Sequence, residues 1–164
     1  MKKTKAMALC GVVAALSVVL LWLGAVLEIG MYAAPMLAGF CLLPVQARYG
    51  KKYAVLLWLA VSLLSLILIP NPEQNLMYFA LFGLYPLVYP SFQKLPGLWR
   101  MAAKLLFFNG VTVLVEALVM LVLAPQTMVW YLAAALLAVG NVVFVLYDRL
   151  LPRMERRLNH LLRG

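Results

Sequence analysis

The sequence predicts an all-α polytopic membrane protein, a six-transmembrane-helix bundle with a short C-terminal amphipathic helix. Hydrophobic residues make up 66% of its 164 residues, and they are concentrated in six apolar runs separated by short connections. A helix needs roughly 20 residues to cross the hydrocarbon core, and these runs approach or exceed that length. The six runs are Ala6–Leu27, Tyr32–Ala47, Tyr53–Ile69, Leu76–Phe92, Met101–Ala124 and Met128–Tyr147.

The basic residues predict which way the six runs are oriented. All fourteen lie before the first run, between the second and third, around the junction of the fourth and fifth, or after the sixth. They are Lys2, Lys3, Lys5, Arg48, Lys51, Lys52, Lys94, Arg100, Lys104, Arg149, Arg153, Arg156, Arg157 and Arg163. The connections Glu28–Met31, Pro70–Asn75 and Pro125–Thr127 contain no Lys or Arg. Because cytoplasmic loops are enriched in basic residues, we expect both termini in the cytoplasm.

The chain divides into a transmembrane domain, residues 1–148, and a basic tail, residues 149–164. The tail has leucines on one helical stripe and arginines on the other, with Pro152 near its start. That pattern predicts a short helix lying on the inner membrane surface or against a cytoplasmic partner. Asp148 and Glu155 are expected to pair with arginines of the tail. The basic residues behind the net charge of +9 are explained by the topology, because they hold cytoplasmic loops against anionic membrane lipids. Nucleic acid is therefore not an expected partner.

The fourth run contains an unusual concentration of helix-disrupting residues. Two prolines and a glycine fall within Gly83–Pro90. Each interior proline removes a backbone hydrogen bond, which in lipid must be replaced by a neighbouring group or by water. The run is therefore predicted to be kinked or broken, either for packing or to form a cavity wall.

Glu116 is the one acidic residue well inside an apolar run, about 12 Å from the outer end of its helix. An ionisable group at that depth normally faces a bundle interior or a wet cavity. Asn109 and Thr112 share its helical stripe, and Asn141 is a plausible partner on the sixth span. Two interpretations stay open. These residues form a substrate site, with Tyr78 and Trp130 toward its mouth, or they form a polar network that locks two helices together.

Small residues mark one face of the first span. Ala8, Gly11 and Ala15 recur at helical spacing, which allows close approach of another helix, within the bundle or from a partner. No nucleophile–base pair, zinc-ligand spacing or glycine-rich phosphate loop is present, so we expect no enzyme activity, no metal and no cofactor.

The opening segment Ala8–Ser17, and Ala34–Phe40 at the start of the second span, resemble the substrate-binding S components of energy-coupling factor (ECF) transporters. The segment Gly83–Pro90, followed by Lys104–Asn109, is similar to an uncharacterised S-component-like group of bacterial membrane proteins. The resemblance covers spans one to five. It implies a multi-pass protein of the bacterial cytoplasmic membrane that works with a transmembrane T subunit and ATPase subunits. In that family the inner part of span one contacts the T subunit and the vitamin site opens outward.

By this resemblance, Ala8, Gly11 and Ala15 would form the face that contacts the T subunit. The predicted function is then capture of a small, vitamin-like nutrient from the outer face. The alternative is a non-transporting scaffold subunit of a membrane complex, such as one for cell-envelope synthesis, with the same six-helix shape. A small channel or proton-coupled carrier would need more intramembrane charge than Glu116 alone provides.

Overall fold

The structure, a computed structural model, describes residues 2–27, 32–123 and 130–163, which form helices and turns without any strand. The predicted connections Glu28–Met31 and Pro125–Thr127 lie outside this part of the chain. The α-helices are α1 (Lys2–Leu27), α2 (Ala33–Phe40), α3 (Leu42–Tyr49), α4 (Lys51–Leu68), α5 (Pro72–Met77), α6 (Tyr85–Phe92), α7 (Gly97–Leu118) and α8 (Trp130–Arg163). Two π-helical segments, Tyr78–Phe82 and Val119–Leu123, follow α5 and α7.

Three of the described helical stretches are long and apolar enough to cross a membrane. They are Lys3–Leu27, Lys51–Leu68 and Gly97–Leu121. The expectation of an all-helical chain is confirmed for the described residues, and these three stretches indicate a membrane protein. The arrangement of six spans stays a prediction.

The second and fourth predicted spans are interrupted where prolines remove backbone hydrogen bonds. Cys41 separates α2 from α3, and Pro44 cannot supply the N–H group that would bond to the carbonyl of Phe40. The fourth run begins in the last turn of α5 and continues through the π-helical segment Tyr78–Phe82 and α6, with Pro86 in the first turn of α6 and Pro90 inside it. The interruption predicted from Gly83–Pro90 is therefore present.

Two clusters of buried side chains form the interior. The N-terminal core cluster lies among α1, α2, α3 and α4, which pack against one another. Its buried members are Val13, Leu21, Ala38, Leu42, Val45, Leu57, Val61, Ile69 and Tyr78. The C-terminal core cluster joins the interrupted fourth run to α3, α7 and α8. Its buried members are Leu43, Met77, Leu81, Phe82, Tyr85, Tyr89, Phe108, Val115, Phe144, Tyr147 and Leu151.

Two buried amides of α5, just before the fourth run, attach this helix to α1 and to the end of α4. The side-chain nitrogen of Gln74 donates to the carbonyl of Leu21 at 2.6 Å, which attaches α5 to α1. The side-chain nitrogen of Asn75 donates to the carbonyls of Ser65 and Ile69 at the end of α4, at 3.1 and 3.0 Å. The Ser65 carbonyl also accepts the N–H of Ile69, and Ile69 directly follows α4, so these bonds attach α5 to the C-terminal end of α4.

The basic tail is not a separate helix in this structure, because α8 runs without a break from Trp130 to Arg163. Pro152 lies inside it and removes one hydrogen bond. Leu151 is buried and Leu158 packs against the C-terminal core cluster, so these two leucines of the tail contact the protein interior, whereas Met154 is exposed. That packing explains why the helix continues past the proline.

Candidate functional site

A cavity of about 370 Å³ lies between the interrupted fourth run, α7 and α8. Its walls are mostly apolar, with polar groups contributed by three side chains. The lining residues are Tyr32, Met77, Leu81, Phe82, Phe108, Thr112, Val113, Glu116, Ala117, Met120, Leu137, Val139, Gly140 and Val143. The break in the fourth run thus forms one wall of the cavity, which was one of the two interpretations of its prolines.

One face of α7 supplies the polar part of the cavity. Phe108, Thr112 and Glu116 are spaced four residues apart, so their side chains lie above one another on the helix. Thr112 is buried, and its hydroxyl has no hydrogen-bond partner among the described residues. Glu116 is half-buried. A buried hydroxyl without a partner costs about 1–3 kcal/mol, so this wall is suited to a group that bonds to it.

A second carboxyl group, which the sequence did not indicate, lies beside Glu116. Glu73, in the first turn of α5, is close enough to share a hydrogen bond with it. The Tyr32 hydroxyl donates to Oε1 of Glu73 at 3.4 Å. Burial, reinforced by the negative charge of Glu116, raises the pKa of the Glu73 carboxyl above its usual range. Two acids and a phenol therefore meet at one end of an apolar cavity.

The two predicted asparagines contact each other and are not among the cavity-lining residues. The amide of Asn109 donates to Oδ1 of Asn141 at 2.9 Å, and the amide of Asn141 donates back at 2.8 Å. Their remaining N–H groups donate to the carbonyls of Leu105 and Leu137, one helical turn earlier. Since both donors of each amide are used, the pair joins α7 to α8. Asn141 was expected to bond to Glu116, and its partner is Asn109 instead.

The two aromatic residues expected near the mouth of the site have different outcomes. Tyr78 is fully buried in the N-terminal core cluster and is not among the cavity-lining residues. The Trp130 side chain lies outside the described part of the structure, although helix α8 begins at this residue. The phenol that is close to the carboxyl groups is Tyr32.

At the opposite end of α7, Lys104 is buried in an ion pair. Its ammonium group lies 2.6 and 2.9 Å from the two carboxylate oxygens of Asp148 on α8, and 4.7 Å from the centre of the Tyr89 ring. The Tyr85 hydroxyl also donates to Asp148. Asp148 was expected to pair with arginines of its own helix. The structure pairs it with Lys104 because the packing of α7 against α8 brings the two together.

The small-residue face of α1 is exposed along its length. Ala8, Gly11 and Ala15 all lie on the surface, and a side chain added at Gly11 would meet no atom within 4 Å. The buried positions of the same helix are Ala6, Val13, Ser17, Leu21 and Gly24 on another face. Within the described chain these three small residues are not part of the interior.

The cavity is suited to binding, since it combines apolar walls with acidic and hydroxyl groups at one place. Among the described residues, no group of three or more His, Cys, Asp or Glu is arranged to hold a metal ion. No protein-family model, curated protein or solved structure matches the chain. In the sequence, Tyr32 begins the second apolar run and Glu73 lies in the connection before the fourth, both at the predicted outer face. That shared location was the only pattern that could have suggested a meeting with Glu116.

Proposed function

We propose that the chain is the substrate-capturing subunit of an ECF-type importer, with six spans and both termini in the cytoplasm. Its cavity would bind a small, vitamin-like nutrient from the outer face, while separate T and ATPase subunits drive transport. The observation that carries this proposal is the side of the cavity formed by Thr112 and Glu116, a hydroxyl without a partner beside a half-buried carboxyl. A bound molecule would satisfy both groups.

The dimensions and chemistry of the cavity support a small organic ligand. Its volume of about 370 Å³ falls in the range usual for ligand pockets, roughly 300–1,000 Å³. The Phe108 ring, stacked on Phe144 with centroids 4.6 Å apart, offers a rigid aromatic surface at the wall. A ligand with an apolar ring and an amine or several N–H groups would complement these walls, because the carboxyl of Glu116 accepts hydrogen bonds.

The distribution of charge supports an outward-facing carboxyl pair. Glu73 belongs to the Pro70–Asn75 connection, which contains no Lys or Arg. The ion pair of Lys104 with Asp148 lies toward the end of α7 that is opposite to Glu116.

A thiol reagent that does not cross membranes tests this topology, with Cys10 and Cys41 replaced by alanine. Pro70→Cys should be labelled on intact cells and Lys94→Cys only after lysis, and the reverse pattern would overturn it.

The exposed face of Ala8, Gly11 and Ala15 supports a contact with the T subunit. Small side chains on a membrane-facing helix let a partner helix approach its backbone closely. Because nothing in the described chain covers Gly11, such an approach would not require the capture subunit to rearrange.

The alternative is the non-transporting scaffold subunit of a membrane complex. The apolar character of most of the cavity wall favours this reading, since a lipid chain or a partner side chain would fill such a space. The two functions differ in what the purified protein carries, because a capture subunit retains a polar small molecule and a scaffold does not.

Untargeted mass spectrometry of small molecules released from the purified protein tests the proposal. The matched control is Thr112→Val, which keeps the side-chain shape and removes the hydroxyl. We expect a water-soluble compound in the wild-type sample that is depleted in the variant. If the two samples release the same compounds, or lipid alone, the scaffold function is favoured and capture is overturned.

A further inference from the structure

A second cavity, of about 400 Å³, lies at the basic end of α6, α7 and α8 and has no role in the proposed capture of substrate. Five basic side chains line it, together with a single acid. These residues are Arg100, Lys104, Arg149, Arg153, Arg156 and Asp148. The positive-inside rule predicts basic residues in this region, but it does not predict that side chains from two helices surround a common space.

The one acid of this cavity is already engaged on its inner side. Both carboxylate oxygens of Asp148 accept hydrogen bonds from the buried ammonium of Lys104, and the Tyr85 hydroxyl donates to the same group. Glu155 is not among the lining residues. Lys104 and Asp148 therefore neutralise each other, and the arginines determine the charge of the open part of the cavity.

The four arginines have no carboxylate partner within 4.0 Å among the described residues, where the ion pair is that of Lys104 with Asp148. Arg149, Arg153 and Arg156 are exposed and recur at helical spacing on α8, so they form one row. Arg100 reaches the cavity from α7 and donates to the side chain of Gln93 at 2.8 Å. Guanidinium groups arranged around one space match the oxygens of a phosphate group, which they bind in a bidentate manner.

Exposed apolar side chains next in sequence to lining residues indicate where such a phosphate would come from. Leu98 and Trp99, between the lining residues Gly97 and Arg100, are 87% and 73% exposed, and Leu150 and Met154, which follow Arg149 and Arg153, are exposed as well. Apolar and aromatic side chains next to a basic row are typical of a surface at the membrane interface. A phospholipid can place its phosphate at the arginines and its acyl chains against these side chains, whereas a soluble phosphate compound has no acyl chains to do so.

We infer that this cavity binds the phosphate group of an anionic phospholipid from the cytoplasmic leaflet. The phosphate would contact the arginines, and the acyl chains would cover Leu98, Trp99 and Met154. The inference rests on the cytoplasmic orientation of this end, and it is independent of what the Glu116 cavity binds. Its consequence is that the lipid would hold α7 and α8 together at the end opposite to the carboxyl pair.

The test compares binding of phosphatidylglycerol and phosphatidylcholine to the purified full-length protein in detergent, counted by native mass spectrometry. The cavity variant carries Arg149→Gln, Arg153→Gln and Arg156→Gln. The control variant carries Arg48→Gln, Lys51→Gln and Lys52→Gln, which removes three cytoplasmic charges outside the cavity. We expect the wild type and the control to prefer phosphatidylglycerol. In the cavity variant, the ratio of bound phosphatidylglycerol to bound phosphatidylcholine should fall about tenfold.

Further measurements distinguish a lipid phosphate from a soluble one and provide a comparison if the triple variant does not fold. Glycerol 3-phosphate and inorganic phosphate should fail to compete with the lipid, and saturable competition by either would overturn the assignment to a phospholipid. Equal loss in both triple variants, or no preference in the wild type, would overturn the cavity as the site. The single variant Arg153→Gln, at an exposed position, provides the same comparison if the triple variant does not fold.

Discussion

The Tyr147 hydroxyl of α8 donates a hydrogen bond, 3.0 Å long, to the carbonyl oxygen of Phe82 in the interrupted fourth run. Four residues after Phe82 comes Pro86, which has no N–H group to offer that carbonyl. The tyrosine therefore replaces the backbone bond that the proline removes. Because Phe82 also lines the Glu116 cavity, this bond fixes the position of one cavity wall.

Replacing Tyr147 with phenylalanine should lower stability, since it leaves the buried Phe82 carbonyl without its partner. We expect a loss of about 1–3 kcal/mol in the free energy of unfolding. Denaturation of the detergent-solubilised protein measures it, with Tyr49→Phe as the control because the described structure records no hydrogen bond from that hydroxyl. A loss no larger than that of the control would mean that Phe82 finds another donor.

Gly39 is expected to tolerate no side chain. A Cβ atom at this position would lie 2.6 Å from the Tyr147 hydroxyl oxygen and closer still to the Phe82 carbonyl oxygen. Gly39→Ala should therefore push α2 away from the π-helical segment and reduce thermal stability more than Gly11→Ala, where nothing lies within 4 Å. Equal melting temperatures for the two variants would contradict the close packing of α2 against Phe82.

The Asn109–Asn141 pair is expected to act on stability and not on ligand binding. Replacing either asparagine with leucine should cost roughly 0.6–1.7 kcal/mol, the range for interhelical hydrogen bonds in membranes. The double variant should cost less than the sum of the two, because the second change removes no further bond. Thermal unfolding of the two single variants and the double variant measures this coupling, and strict additivity would show that the asparagines act separately.

Glu73 should make stability depend on pH in a defined direction. Its pKa in the folded protein is raised above the ordinary 4.5, so the folded state binds a proton more tightly than the unfolded state. The stabilisation is fully present below about pH 4.5 and is lost as the pH rises through the raised value. Melting temperatures across this window should fall in the wild type and fall less in Glu73→Gln. Glu155→Gln serves as the control, and an unchanged slope in Glu73→Gln would exclude this assignment.

The helical chain and its long apolar stretches could be predicted from the sequence, because these follow from local composition and spacing. Contacts between helices that are distant in the sequence could not be predicted from local patterns. Asn141 was matched to Glu116 on grounds of depth, yet the register of α7 against α8 places it beside Asn109. The pairing of Lys104 with Asp148 depends on the same register. Glu73 could not be brought to Glu116 without knowing that Gln74 and Asn75 attach α5 to the ends of α1 and α4.

Capture of a small molecule by the cavity at Glu116 is tested most directly by the affinity of Glu116→Gln for the compound released by the wild-type protein. This change keeps the side-chain shape and removes the charge. If the ligand bonds to the carboxylate, affinity should fall by about 1–3 kcal/mol while the melting temperature of the empty protein stays nearly constant. Unchanged affinity together with a lowered melting temperature would contradict the account, because Glu116 would then serve only to hold helices together.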